Sequence, residues 1–397
     1  MQNLSSFFKK NSDVINLNSG TLSQSPTSVI EAKFKHFLNY EENTTLSLFT
    51  TWQKLWNVQK NFAQFLQANP QDLFFRHNVT EALNELILGV PMEAGEIAYT
   101  DLEYGAIINI CRLKAQKENL ELRKLPLSDY LFSSQLMTTK EAGDEAVSWI
   151  LKQLKPHTKL LLVSHVMTLN GLILPIEKLA EETNKRGIFL VVDGAHAVGA
   201  LDLNFNLFKN VSAYAGNLHK WMMAPKGTGF GWLNPHWQNQ YQPTSGSWTT
   251  FESKSEYSQF GEGSRFALTM LTSHCQDFSS WFAIEETLQF WKQIEASKIR
   301  QHINTLKNQI RNDFEALDWI CISPLENSWG PLTAFQAPKG LLQKYGSSLT
   351  LNLLKELKIQ ISTPVSPNQE IFLRFSPHII NNPEEISKAQ QILKSIL

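Results

Sequence analysis

Three short apolar runs crowded between Ile188 and Leu233 constrain this chain more than any other feature of it. Ile188–Val192 breaks off on an acid, Asp193. Val211–Ala215 runs into Gly216 and then His219 and Lys220, and Pro225-Lys226-Gly227 turns the chain into Gly229–Leu233. Apolar runs of this length, bounded by Gly and polar residues, read as buried strands. Ahead of them stand another apolar run, Lys159–Val163, and a helical segment, Pro175–Arg186. Strand, helix, strand in that order implies a parallel unit with a right-handed crossover. The expected fold class is therefore α/β, with a mostly parallel sheet between helices. In such sheets ligands sit beyond the carboxyl ends of the strands, where Asp193 and Lys220 fall.

An acid and a lysine delivered to one sheet edge suit a pyridoxal phosphate (PLP) site. The lysine supplies the Schiff base, and the acid keeps the pyridine nitrogen protonated so that the ring accepts electrons. Either residue alone is commonplace: acids end many strands, and a loop lysine is usually just solvated. The whole string is more specific. VDGAHAVG followed by GNLHKWMMAPKGTGF resembles the fold-type I, class V aminotransferase superfamily, and within it the isopenicillin N epimerase-like branch. The resemblance implies a large PLP-binding domain over residues 31–265, preceded by an arm, 1–30, and followed by a smaller α+β C-terminal domain, 266–397. It implies that Lys220 and Asp193 are catalytic with His196, which stands where the family often has Gln or His near the ring hydroxyl. Asn217 and His219 would help hold the phosphate.

Other segments carry weaker signals. Asn18-Ser19-Gly20-Thr21 partly matches a substrate-side turn of the family and reads equally as a surface turn. Leu48, Trp52, Leu55, Trp56, Phe62, Phe65 and Leu66 recur at helical intervals over Thr45–Ala68, a stripe of core or subunit interface. Asn78 with Glu81 three residues on is a capping-box pattern. Beyond capping, uncommitted N–H groups of Val79 and Thr80 at a helix start, with the Thr80 hydroxyl, suit a phosphate, and the string resembles the family's Asn-Ala-Thr-Glu turn. Asp101-Leu102-Glu103-Tyr104 resembles a family string that reads Asp-His-Glu-Tyr, with Leu102 in place of the His. It implies Tyr104 lying flat over the pyridine, the alternative being a core tyrosine. In Ser164-His165-Val166-Met167-Thr168, the resemblance puts Thr168 near the ring hydroxyl; His165 taken alone reads as a satisfied core histidine.

Residues 234–263, with Trp248 and Phe251, lack periodicity and read as a loop at the site mouth or dimer seam. Gly263-Ser264-Arg265 resembles the element by which one subunit touches the other's cofactor phosphate, which makes Ser264 cofactor-binding and the protein a homodimer with its site near the seam. Leu373-Arg374-Phe375-Ser376 resembles the family's carboxylate-binding strand. A buried guanidinium needs a partner, either a substrate α-carboxylate or an internal acid.

A formal net charge of -1 over 397 residues makes no case for nucleic acid or an anionic membrane. No signal peptide or membrane-length apolar run is seen. Three scattered cysteines fit a reducing cytoplasm and build neither a disulfide framework nor a metal cage. None lies in a Gly/Ser-rich loop like that of the cysteine desulfurases. Gly227-Thr228-Gly229-Phe230-Gly231 lacks the spacing of a nucleotide-binding loop. The expected function is amino-acid chemistry at Cα or Cβ: isopenicillin N epimerase-like or C–S lyase first, class V aminotransferase second. A catalytically silent relative is disfavoured because both Asp193 and Lys220 are present.

Overall fold

In a computed structural model of the chain, residues 4–133, 139–246, 250, 264–270 and 275–396 are described. The strands are β1 (Ile15–Asn16), β2 (Leu73–Arg76), β3 (Glu96–Thr100), β4 (Glu121–Leu125), β5 (Thr158–Ser164), β6 (Phe189–Asp193), β7 (Ala213–Asn217), β8 (Gly229–Leu233), β9 (Thr333–Gln336), β10 (Ile359–Gln360) and β11 (Phe372–Phe375). The first four helices are α1 (Thr27–Glu42), α2 (Thr44–Leu66), α3 (Val79–Leu88) and α4 (Gly105–Glu118).

Seven strands form one sheet in the order β2-β8-β7-β6-β5-β3-β4. All its pairings are parallel except those of β8, which runs against both β7 and β2. Both faces are covered, so the central strands are apolar throughout: Phe189, Leu190, Val191 and Val192 are each fully buried. Each such side chain contributes about 1.5–3 kcal/mol by leaving water. The polar residue that ends each run therefore lands at one rim. Thr100, Ser164, Asp193 and Asn217 close four parallel strands there, and β8 sets out from the same rim at Gly229.

The smaller unit packs β9 antiparallel to β11, with Arg374 opposite Ala334. Its core gathers Phe314, Phe335 and Phe375 together with Ile15 and Leu17 from the chain's beginning. The arm reaches it by pairing β1 parallel to β10. The apolar stretch Trp319–Ile322 forms no strand but a single bridge, Cys321 to Phe335. The left-handed backbone of Asp318 (φ 61°) turns the chain just before it, and Ile320 points to solvent at 63% exposure. The α2 stripe is largely core: Trp52, Leu55, Trp56, Phe62 and Leu66 are buried. Trp248 and Phe251 lie outside the described residues. The described start of that segment packs back on the large unit, through Tyr241 Oη to Glu85 (3.0 Å) and Gln242 N to Gly89 O (2.7 Å).

Candidate active site

Asp193 and Lys220 meet at the rim. Asp193, 4% exposed, accepts the Ala195 N–H at 2.8 Å. Burial raises its pKa, opposed by that N–H and by the Lys220 charge. Lys220 lies in the turn after β7, which is pinned by Leu218 N to Thr228 O, Ala224 N to Leu218 O and Met223 N to Lys220 O, each 3.0 Å. The turn forces Met223 into left-handed backbone (φ 60°), a conformation that costs of order 1–3 kcal/mol in a residue other than glycine. Burial lowers the Lys220 amine to about 8; Asp193 opposes the fall and Arg374 adds to it. The amine makes no hydrogen bond with the described residues.

A relay runs from this pair to the second unit. The Trp221 indole, which can only donate, gives its N–H to His196 Nδ1 at 3.3 Å. His196 therefore carries its proton on Nε2 and donates it to Thr168 Oγ1 at 2.8 Å. Burial, with Lys220 and Arg374 nearby, holds His196 neutral, well below the usual histidine range. Thr168 Oγ1 also accepts from Arg374 Nη1 at 3.0 Å. With both lone pairs taken, its own proton is left for a third partner.

Arg374 is 5% exposed. Its Nη1 also donates to Thr168 O (3.0 Å) and its Nη2 to Thr21 Oγ1 (2.9 Å), and Thr21 in turn donates to Asn18 Oδ1 (2.8 Å). Its Nε is a buried donor with no partner. No acid pairs with it among the described residues, where the internal salt bridge weighed from the sequence is therefore not found. A guanidinium has five donors; three bonds are made, leaving Nε and one Nη2 proton for a ligand.

At the other end of the rim stands the start of α3. Asn78 caps it, accepting from Glu81 N at 2.9 Å, while the Glu81 carboxylate turns back to His77 N and Nδ1. The expectation that the Val79 N–H is uncommitted is corrected: it donates to Asn217 Oδ1 at 2.9 Å. Asn217 thus braces the helix start, and Thr80 alone keeps an N–H and a hydroxyl without partners among the described residues. Gly229 makes the close approach possible, since a Cβ there would stand 2.7 Å and 2.8 Å from Asn78 backbone atoms. His219 donates Nδ1–H to Thr228 O (3.1 Å), leaving Nε2 as a lone pair, and burial drops its pKa to about 4.

The remaining expected residues lie less deep. Tyr104 begins α4 at 56% exposure, so the core-tyrosine alternative is excluded. Ser264 accepts from Ala267 N (3.2 Å) and donates to Gln71 O (3.3 Å), a helix-start role within one chain. His165 bonds the Tyr214 hydroxyl at 2.9 Å inside the core. The sequence reading gave Trp221, Thr21, His378 and Glu103 no individual role. His378 donates Nε2–H to Trp221 O (3.0 Å) and stacks on that indole, fixing the relay's origin. Glu103 stood in the quoted Asp-Leu-Glu-Tyr string, and Trp221 directly follows the lysine; position was the only signal for either.

These residues fit PLP. An anionic ring substituent has the Thr80 N–H, a ring nitrogen has Asp193, an aldehyde has an unpaired amine of lowered pKa, and a carboxylate has the orphaned Arg374 donors. Among the described residues no helix is long and apolar enough to cross a membrane.

The sequence profile of the family described as Aminotransferase class-V matches residues 14–387. An isopenicillin N epimerase from Streptomyces clavuligerus is 30% identical over 96% of this chain and 95% of its own length. A probable cysteine desulfurase from Pyrococcus abyssi is 27% identical over 58% of this chain and 56% of its own length. A solved structure of the cystine C–S lyase C-DES with its product cysteine persulfide superimposes with a TM-score of 0.82 at 20% identity, covering 97% of this chain and 98% of that one. Likeness at that identity speaks to the fold.

Proposed function

The chain belongs to the class-V aminotransferase family, whose cofactor is pyridoxal 5′-phosphate, and from that premise we propose that it removes the Cα proton of an amino acid held by its carboxylate at Arg374. The reaction we assign is isopenicillin N epimerase-like or C–S lyase chemistry. The observation that carries the assignment is the buried guanidinium of Arg374, without an acid partner among the described residues and with Nε unpaired, near the Lys220 amine of lowered pKa.

PLP, when bound, supplies the sink for the electron pair left at Cα; Lys220, Asp193, Thr80, Asn217 and His219 would hold it. Arg374 orients the substrate through two charge-assisted bonds, fixing which Cα bond faces the amine. With a pKa of about 8, Lys220 is neutral in an appreciable fraction of molecules near pH 7–8. It can therefore take a proton from Cα without first paying to shed its own. Burial raises the Asp193 carboxyl, and the Ala195 N–H and Lys220 oppose that rise; its carboxylate would pair with the cofactor's ring nitrogen. The Thr168 hydroxyl, its lone pairs spent on Arg374 and His196, would have its proton free for a bound group. Burial pushes Cys111 and Cys321 to about 12 and about 11, too high to furnish a thiolate, so desulfurase chemistry would fall to the exposed Cys275.

Incubation with an amino-acid panel in D₂O tests the assignment. Deuterium at Cα with inversion marks an epimerase, and pyruvate release marks a lyase. Amine transfer that requires a keto acid would replace both readings with a transaminase, and no exchange with any amino acid would overturn the proposal.

A further inference from the structure

The sheet end that carries Asp193 holds a second buried carboxyl that the proposed reaction does not use. Glu103, in the turn after β3, is 7% exposed. Its Oε1 meets the Thr100 hydroxyl at 2.6 Å and its Oε2 the Ser164 hydroxyl at 2.5 Å. Ser164 stands opposite Asp193 in the β5–β6 ladder, so one residue lies between the two acids.

No lysine, arginine or histidine pairs with Glu103 among the described residues. On α4, Lys114 spends its ammonium on Val90 O (2.7 Å) and Glu118 (2.8 Å). The other titratable group facing it from that helix, Cys111, is a thiol held protonated. From β6 it faces Asp193, whose cation is Lys220. Two buried carboxyls at one rim, with one ammonium between them, cannot both ionise cheaply. Asp193 has the stronger claim to the charge, because it has a backbone N–H and Lys220. Glu103 has the Ser164 backbone and two hydroxyls but no cation among the described residues, and a hydroxyl accepts from an acid as readily as it donates to its conjugate base.

We infer that Glu103 is a positioning residue that keeps its own proton between the Thr100 and Ser164 hydroxyls, so that Asp193 alone presents negative charge to the ring nitrogen of the cofactor. Burial lifts the Glu103 carboxyl to about 7, with the Asp193 charge adding to the rise. The inference rests on the role proposed for Asp193.

The experiment has a cofactor-free arm and a cofactor-loaded arm. Infrared difference spectra of the purified protein without PLP, wild type against Glu103→Gln, show a protonated-carboxyl stretch below pH 7 in the wild type alone. The band fades as pH rises through about 7. Ser164→Ala, which removes one hydroxyl and no carboxyl, keeps the band but shifts its midpoint. In the loaded protein, the absorbance of bound PLP in the wild type carries a step near the same pH that Glu103→Gln abolishes. A wild type with no protonated band below pH 7, or loaded proteins that titrate alike, overturns the inference. Wild-type protein that develops no PLP absorbance overturns it together with the Asp193 reading, and is told apart because the infrared band persists.

Discussion

Replacing Arg374 with Met separates what this residue does for the fold from what it does for a ligand. Burial pulls the guanidinium down to about 10, so its charged form sits roughly 3 kcal/mol less comfortably than in water. Methionine keeps much of the aliphatic stem and removes that burden. The bonds it forfeits are cheap ones: Thr168 Oγ1 still accepts from His196, and the Thr21 hydroxyl still donates to Asn18. Only Thr168 O loses its described donor, at about 1–3 kcal/mol. The two effects offset, so the urea stability of Arg374→Met should lie within about 2 kcal/mol of the wild type. Affinity should behave otherwise. A carboxylate deprived of its buried cation loses about 2–5 kcal/mol, roughly 30-fold to several-thousandfold in Kd. Calorimetric titration with L- and D-alanine reads this directly. An unchanged Kd would refute the carboxylate role. A loss of stability as large as the loss of affinity would instead make Arg374 a strut between the two units.

Four further outcomes are expected. Lys220→Ala should abolish the borohydride-fixable link between protein and PLP, and persistence of that link would remove the site's central assignment. His219, neutral with a pKa of about 4, should take up a proton at Nε2 when a phosphate dianion arrives. PLP affinity then falls as pH rises and the binding enthalpy depends on the buffer, more so than in His219→Gln; equal behaviour in the two proteins would show that His219 does not touch the anion. Gly229→Ala should push α3 off the rim, because the intruding Cβ meets backbone, costing about 1–3 kcal/mol in denaturant stability along with PLP affinity; a neutral result would mean that the helix start is not held where PLP needs it. Sedimentation should find a dimer, since Phe34 (60% exposed), Leu38 (60%) and Phe49 (72%) leave a large apolar surface on α1 and α2; a fully active monomer would remove Ser264 from the cofactor site.

Legibility in the sequence followed burial. Strands buried on both faces announce themselves as apolar runs, and β8 begins and ends where its run does. The edge strand β4, Glu121-Leu122-Arg123-Lys124-Leu125, is charged because one side of it meets water. It reads as a connector, although it completes the sheet against β3. The two-residue strands β1 and β10 have no local pattern at all; their pairing spans most of the chain. The site shows the same division. Asp193 marks itself by ending an apolar run and Lys220 by following one closely, whereas the bond from Arg374 to Thr168 joins residues 206 positions apart. The Val79 N–H illustrates a different limit. A sequence shows that a helix begins there, yet not that Asn217, from a strand far along the chain, has already claimed its first donor.

The arm's attachment has a consequence for how the protein tolerates shortening. Leu17 N bonds Gln360 O, Ser19 N bonds Ser376 O, and Thr21 holds the Arg374 side chain. The opening residues are thus mechanically part of the chain's far end, and any rocking of that end would carry Asn18, Thr21 and the guanidinium as one piece. A proteolytic nick between Thr21 and α1 need not silence the protein while the clipped peptide stays wedged in place. Washing that peptide out would strip a prop from the guanidinium proposed to grip the amino acid, and another, Ser23 N to His219 O (3.2 Å), from the turn that carries Lys220.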